Sequence, residues 1–159
     1  MENKNKLLKL TKSRIGYIAG LFDGEGCISI QKRRTNGGRD YQYLLRTSLT
    51  NADPRAPKIL KDYFGANSYY IVKYKNRKQF YYRWVLTELN ALNFLIKVSS
   101  QFELKKEEAI VALEYMKTLH KNYSRYNKVP LKVWKLRDKL FLKMRALKKN
   151  RNTRGAFYE

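Results

Sequence analysis

Two carboxylates, Asp23 and Glu25, stand two residues apart in the stretch "DGEG", each followed by a glycine. Such a pair reads equally as a helix stop with solvated acids and as acids set out for chemistry. A second group of residues belongs to a different chemistry. In "CISIQKRR" and "YQYLLRTSLTN" polar and apolar residues alternate, as in half-buried strands. Ile28, Ile30, Leu45, Leu49, Trp84 and Leu86 then point one way, and Ser29, Gln31, Arg33, Gln42, Arg46, Ser48 and Arg83 point the other. Arg pairs bidentately with guanine, Gln with adenine and Ser with either, each good bidentate pair discriminating by roughly 1–3 kcal/mol. Leu44 and Val85 are the apolar members of that otherwise polar face. One Cys, Cys27, and one His, His120, in 159 residues exclude an internal disulfide, a cysteine zinc site and histidine-paired hydrolytic centres within one copy. His120, in the polar "TLHKNYS", reads as a solvated helix end.

The elements that would carry these residues follow from spacing. Thr11 or Ser13 caps a helix through "RIGYIAGLF" to about Asp23, with Ile15, Ile18, Leu21 and Phe22 at helical intervals. Strands at 27–34 and 41–51 pair around "TNGGRD". Asp53 caps "PRAPKILKDYF", Gly65 stops it, and "NSYYIVKYK" and "QFYYRWVLT" form a second hairpin around Asn76 and Arg77. The helix "ELNALNFLIKV" follows, then another from Glu103 to about His120. Pro130 opens a last one, "LKVWKLRDKLFLKMRALKK". The order is αββαββα plus further helices, an α+β class with a four-stranded antiparallel sheet and helices on one face.

With 35 Lys and Arg against 13 Asp and Glu, the formal charge is +22, and self-repulsion of this size calls for a polyanionic partner. No run of eighteen apolar residues exists, so nucleic acid is expected rather than membrane. "MENKNKLLKL" has no apolar signal core, so no secretion is expected and the chain should stay intracellular, in a bacterial cytoplasm or the organelle that encodes it. One domain over 1–159 is expected, with a basic tail at about 148–159.

Gly16, Gly20 and Gly24 recur every four residues, leaving a stripe without side chains along one helix. Each costs about 1 kcal/mol against alanine in a helix, so three on one face call for a close backbone contact. The simplest partner is the same helix of a second copy across a two-fold axis.

With that stripe, the acid pair and the immediate strand, "IAGLFDGEG" (Ile18 to Gly26) resembles the nine-residue motif of the LAGLIDADG homing endonucleases position by position. The element order is also that family's, and a single motif suits its homodimeric branch. The resemblance implies a saddle-shaped sheet and a homodimer joined through Gly16, Ala19, Gly20 and Asp23. It implies metal-dependent cleavage of double-stranded DNA with staggered ends. Glu25, with Gly24 beside it, would hold the catalytic metal, Mg²⁺, with Mn²⁺ or Ca²⁺ able to substitute for binding. Asp23 would be the structural acid of the pair. Asn51, ending the second strand, and Lys105, in "ELKKEEA", would complete the catalytic set; Asp53 and Arg55 rival Asn51, and a solvated lysine is the alternative for Lys105. "ExK" at Glu103 to Lys105 imitates another nuclease core but lacks its acid pair.

DNA contacts would come from the polar sheet face, from the basic strand ends and turn tips (Arg34, Arg39, Lys73, Lys75, Arg77), and from "KKNRNTRG". The last resembles the family's C-terminal loop along the DNA backbone, with Lys148, Asn150, Arg151, Asn152, Thr153 and Arg154 on phosphates. Seven residues of strand rise roughly 23 Å and track on the order of seven base pairs. Two copies with their turn tips then give a pseudo-palindromic site of about 20 base pairs, cut across the central minor groove. A non-cutting repressor or an intron RNA maturase is the alternative within the family. A basic ribosomal or RNA-packaging protein would explain the charge and the 13 tyrosines but not the glycine stripe.

Overall fold

In the computed structural model, residues 8–34, 41–119 and 129–154 are described, without the side chains of 151–154. Helix α1 spans Lys12–Glu25, with Thr11 as its cap accepting the Arg14 N–H at 3.2 Å. Strands β1 (Gly26–Arg34) and β2 (Tyr41–Asn51) follow, then α2 (Arg55–Phe64), β3 (Ser68–Lys73), β4 (Phe80–Thr87), α3 (Glu88–Val98), a short 3₁₀ turn at Ser99–Gln101, α4 (Lys106–Met116) and α5 (Leu131–Arg154). The αββαββα order is as expected. Asp53 acts one step from where the sequence puts it: Pro54 holds the cap position of α2, and the Asp53 carboxylate accepts the Arg55 N–H at 2.9 Å. Gly65 ends α2 at φ 69°, a left-handed conformation that suits a residue without Cβ.

The sheet is antiparallel throughout, in the order β1-β2-β4-β3. One face is covered. Ile28, Ile30, Leu45, Leu49, Trp84 and Leu86 are all buried, beneath α1, α3, α4 and part of α5. At its centre Phe22 of α1 meets Phe94 at 4.8 Å, Phe102 at 5.7 Å and Trp84 at 6.3 Å between ring centroids. The Trp84 indole N–H donates to the Gly65 carbonyl at 2.6 Å. Edge-to-face and stacked rings of this kind contribute beyond their buried area, and here they fix the last turn of α1 against the sheet. Helix α5 runs antiparallel to β1, with Lys32 and the Tyr43 hydroxyl donating to Asp138 near its start and Lys148 reaching Cys27 near its end. Asp138 is thereby held below the usual carboxylate range. No helix among the described residues is long and apolar enough to cross a membrane.

Beneath β2 lies a less settled spot. Glu88 enters α3 at φ 48°, accepts the Leu45 N–H at 3.2 Å with one oxygen, and leaves the other buried without a partner, as is the Tyr115 hydroxyl. Burial pushes the Glu88 carboxyl up to about 7, against the opposing Leu45 hydrogen bond and Arg137 charge. The folded chain therefore holds this proton more tightly than the unfolded chain, whose value is 4.5. The associated stability is complete below pH 4.5 and is lost as pH rises to about 7. Glu88→Gln should leave the melting temperature unchanged near pH 4.5 and raise stability by about 1–3 kcal/mol at pH 8. Parallel thermal melts of both proteins across that range would show it, and equal melting temperatures at pH 8 would contradict it.

Candidate functional site

The end of α1 is built from the inside outward. A Cβ at Gly26 would sit 2.5 Å from the Phe22 carbonyl and ring, so this glycine is required where helix turns directly into strand. Asp23, 6% exposed, accepts three main-chain N–H groups, from Glu103, Leu104 and Lys105, each at 2.8 Å. Burial pushes the Asp23 carboxyl up, but these bonds and the Lys105 charge together bring it below its ordinary value. Its carbonyl accepts from the Lys105 ammonium in turn. Asp23 thus ties α1 to the start of α4, and Lys105 is buried rather than solvated.

Two interface expectations change accordingly. Asp23 spends its carboxylate inside its own protomer, and Ala19 is fully buried in the core beside Ile18 and Phe22. Gly16, Gly20 and Gly24 remain as the exposed stripe, and a Cβ on any of them would meet nothing within 4 Å. Nothing in the protomer therefore requires glycine there.

Glu25 is exposed and opens onto the other side of the turn. It lines a cleft of about 660 Å³ with Thr50, Tyr74, Lys75, Asn76, Arg77 and Tyr81. Gly24 and Lys105 line a separate cleft of about 750 Å³ with Asp23, Glu103 and, from α5, Leu147 and Asn150. The expected catalytic set is thus divided between two clefts. Asn51 lines neither: its amide oxygen accepts the Asp53 N–H at 2.8 Å, and it shares the covered-face parity of Leu49. Thr50, one residue earlier and in phase with Arg46 and Ser48, lines the Glu25 cleft instead. That phase is legible in the strand pattern and points to Thr50.

The open face carries the expected polar set in register. Ser29 lies opposite Arg46, Arg33 opposite Gln42, and Thr50 opposite Arg83, which in turn faces Tyr70 of β3. Arg83 donates to the Thr50 hydroxyl and to the Tyr74 hydroxyl, both at 2.8 Å, with its guanidinium 5.9 Å from the centre of the Tyr70 ring. The Arg83 hydrogen bond, against burial and together with Arg46, draws the Tyr70 phenol below its usual range. Arg33 donates to Gln31 at 2.6 Å. Ser48 and Val85 form a close pair beside Ser68, with Val85 buried; Leu44 is half-buried opposite Gln31. Arg34 and Lys73 have the parity of the covered face and sit at its exposed rim, so they do not join this row. Arg39 lies outside the described residues.

The basic tail differs from expectation. Residues 148–154 continue α5 as helix instead of forming a loop. Lys148 is directed at the Cys27 sulfur, 2.9 Å away, and Asn150 lines the Lys105 cleft.

The profile of the LAGLIDADG endonuclease family matches residues 18–120, which take in the second half of α1, the whole sheet and α4. No curated protein matches in sequence. Among solved structures, the fold is similar to that of the homing endonuclease I-CvuI in complex with a DNA target (TM-score 0.69, 17% identity, covering 86% of this chain and 82% of that one). It is also similar to the homing endonuclease I-TnaI (0.61, 16%, 93% and 99%) and to the archaeal intron-encoded homing endonuclease I-Vdi141I complexed with DNA (0.54, 18%, 82% and 98%).

Proposed function

This chain belongs to the LAGLIDADG endonuclease family, and from that premise we propose that it is a homing endonuclease that cuts both strands of a long, pseudo-palindromic DNA site as a homodimer. The observation that carries the reading is where the acid end of α1 opens. Glu25 lines a cleft with Thr50 and Arg77, at the end of a sheet face bearing Arg33, Arg46 and Arg83. A duplex lying along that face would have its backbone at the one exposed carboxylate of the motif.

The residues fit a divalent cation of the magnesium type. Among the described residues no group of three His, Cys, Asp or Glu could hold a metal alone. Mg²⁺ is usually held by one or two carboxylates, keeping several waters and taking phosphate oxygens from the substrate. Glu25, with the main chain at Gly24 beside it, would hold it, and a second copy would bring a second Glu25. The bound cation would lower the pKa of an attacking water and stabilise the leaving oxygen. The chain's own contribution is placement: Asp23 and Phe22 lock the turn that carries Glu25, and Arg46 and Arg83 orient the duplex through phosphate or base contacts. The bare stripe of Gly16, Gly20 and Gly24 supports two α1 helices lying back to back, which would set one Glu25 against each strand.

The test is a randomised duplex library incubated with the protein in Mg²⁺ or in EDTA, followed by sequencing of cut ends. Staggered cuts within one pseudo-palindromic sequence, in Mg²⁺ alone, are expected. Retention of one duplex without cutting in either buffer would make the chain a non-cutting binding protein of this fold.

A further inference from the structure

The turn between β3 and β4 lines the same cleft as Glu25 at the acid end of α1. Arg77 sits in this turn, with its N–H donating to the Tyr74 carbonyl at 3.1 Å. Its guanidinium donates to the Tyr81 hydroxyl at 2.5 Å and lies 5.3 Å from the centre of the Tyr81 ring and 6.0 Å from that of Tyr74. Gln79 donates to the same Tyr81 oxygen at 2.7 Å. Arg77 draws the Tyr81 phenol below its usual range, with Gln79 adding to the effect. Tyr74 is itself held by Arg83, so the guanidinium is carried by a frame that reaches back into the sheet.

Arg77 therefore has a fixed position without an acid to neutralise it: among the described residues no ion pair engages it. In the cleft that it lines, Glu25 is the one carboxylate. A preorganised cation beside a single acid, at the mouth of a basic face, matches the charge of a phosphodiester, whose planar fork partner is a guanidinium.

We propose that Arg77 is a catalytic residue that binds a non-bridging oxygen of the phosphodiester cleaved at Glu25, with Tyr81 as its positioning residue. The role rests on the endonuclease reading above. As water bonds to phosphorus and the P–O bond to the leaving oxygen breaks, negative charge builds on the non-bridging oxygens. The water's proton passes to solvent and the leaving oxygen takes one up. Arg77 transfers no proton and sets its charge against the developing one.

The probe is the duplex that the wild-type protein retains from a randomised library. Binding is measured in EDTA over a salt series and cleavage under single-turnover conditions in Mg²⁺, for wild type, Arg77→Gln, Arg77→Lys, Tyr81→Phe and Glu25→Gln. Arg77→Gln should lower the slope of log affinity against log salt by about one, as loss of one phosphate contact requires. It should also slow cleavage by about 10²- to 10³-fold at saturating protein. Arg77→Lys should keep the slope and recover part of the rate. Tyr81→Phe should keep the slope and cut about tenfold more slowly, because it loosens the guanidinium without removing its charge. Glu25→Gln should keep the slope and not cut. An unchanged slope in Arg77→Gln, or an unchanged rate, overturns the proposal. If the wild type binds but never cuts, the endonuclease reading fails first, and a lowered slope in Arg77→Gln then makes it a phosphate contact with no catalytic part. Thermal melts check that each variant folds.

Discussion

Glu25→Gln should abolish DNA cleavage, by a factor of at least about 10³ in single-turnover rate, while leaving DNA bound and the protomer as stable as before. The amide keeps the size of the side chain and removes the negative charge, and a neutral amide is a poor ligand for a hard cation. Stability should not change because Glu25 is exposed and no hydrogen bond described in the protomer uses its carboxylate. In the absence of metal the variant should bind DNA slightly more tightly, since one repulsive charge has gone from beside the phosphates. The contrast with Asp23, two residues away, sharpens the test. Asp23→Asn disturbs three main-chain hydrogen bonds at the start of α4, so its effect should appear as a lowered melting temperature before it appears in chemistry. Cleavage by Glu25→Gln at the wild-type rate would remove Glu25 from the reaction.

The different fates of these two acids were legible in the sequence only in part. The element order, the two hairpins and the apolar face of the sheet follow from alternation and turn residues, because a period of two leaves little freedom once one face is buried. Where expectation and structure differ, a single step of register decides. Ala19 lies next to Gly20 in sequence but about 100° away around the helix, which takes it off the glycine row and into the core. Asn51 and Thr50 differ by one residue and hence by one face of β2, and of the two Thr50 lines the Glu25 cleft. The tail failed for another reason. Asn and Thr in "KKNRNTRG" are weak helix formers, yet α5 is already held by Leu140 and Met144 in the core and by Leu147 against it, and a helix once nucleated extends cheaply. Arg77 could be seen as a basic turn residue. Its place in the Glu25 cleft could not, since that depends on Tyr74 and Tyr81 meeting across the hairpin at 5.2 Å between ring centroids.

Gly20→Leu should split the dimer and stop double-strand cleavage without unfolding the protomer. A Cβ at Gly20 meets nothing within 4 Å in the protomer and the position is exposed, so a side chain there points into open space. Leucine also favours helix over glycine by somewhat less than about 1 kcal/mol, so the isolated protomer should be no less stable than before. Across a two-fold axis the same side chain would appear twice on the row that must let two backbones approach, and would hold the helices apart. Sedimentation at micromolar concentration should give a dimer for the wild type and a monomer for Gly20→Leu, with Gly20→Ala between them. Cleavage should fall with the dimer, because each strand is assigned to the Glu25 of one copy. The readouts separate two failures. A Gly20→Leu protein that remains dimeric and active would show that the glycine row is not the contact. One that is monomeric yet still cuts both strands would show that a single Glu25 suffices, and the two-fold arrangement would have to be abandoned while the metal assignment stood.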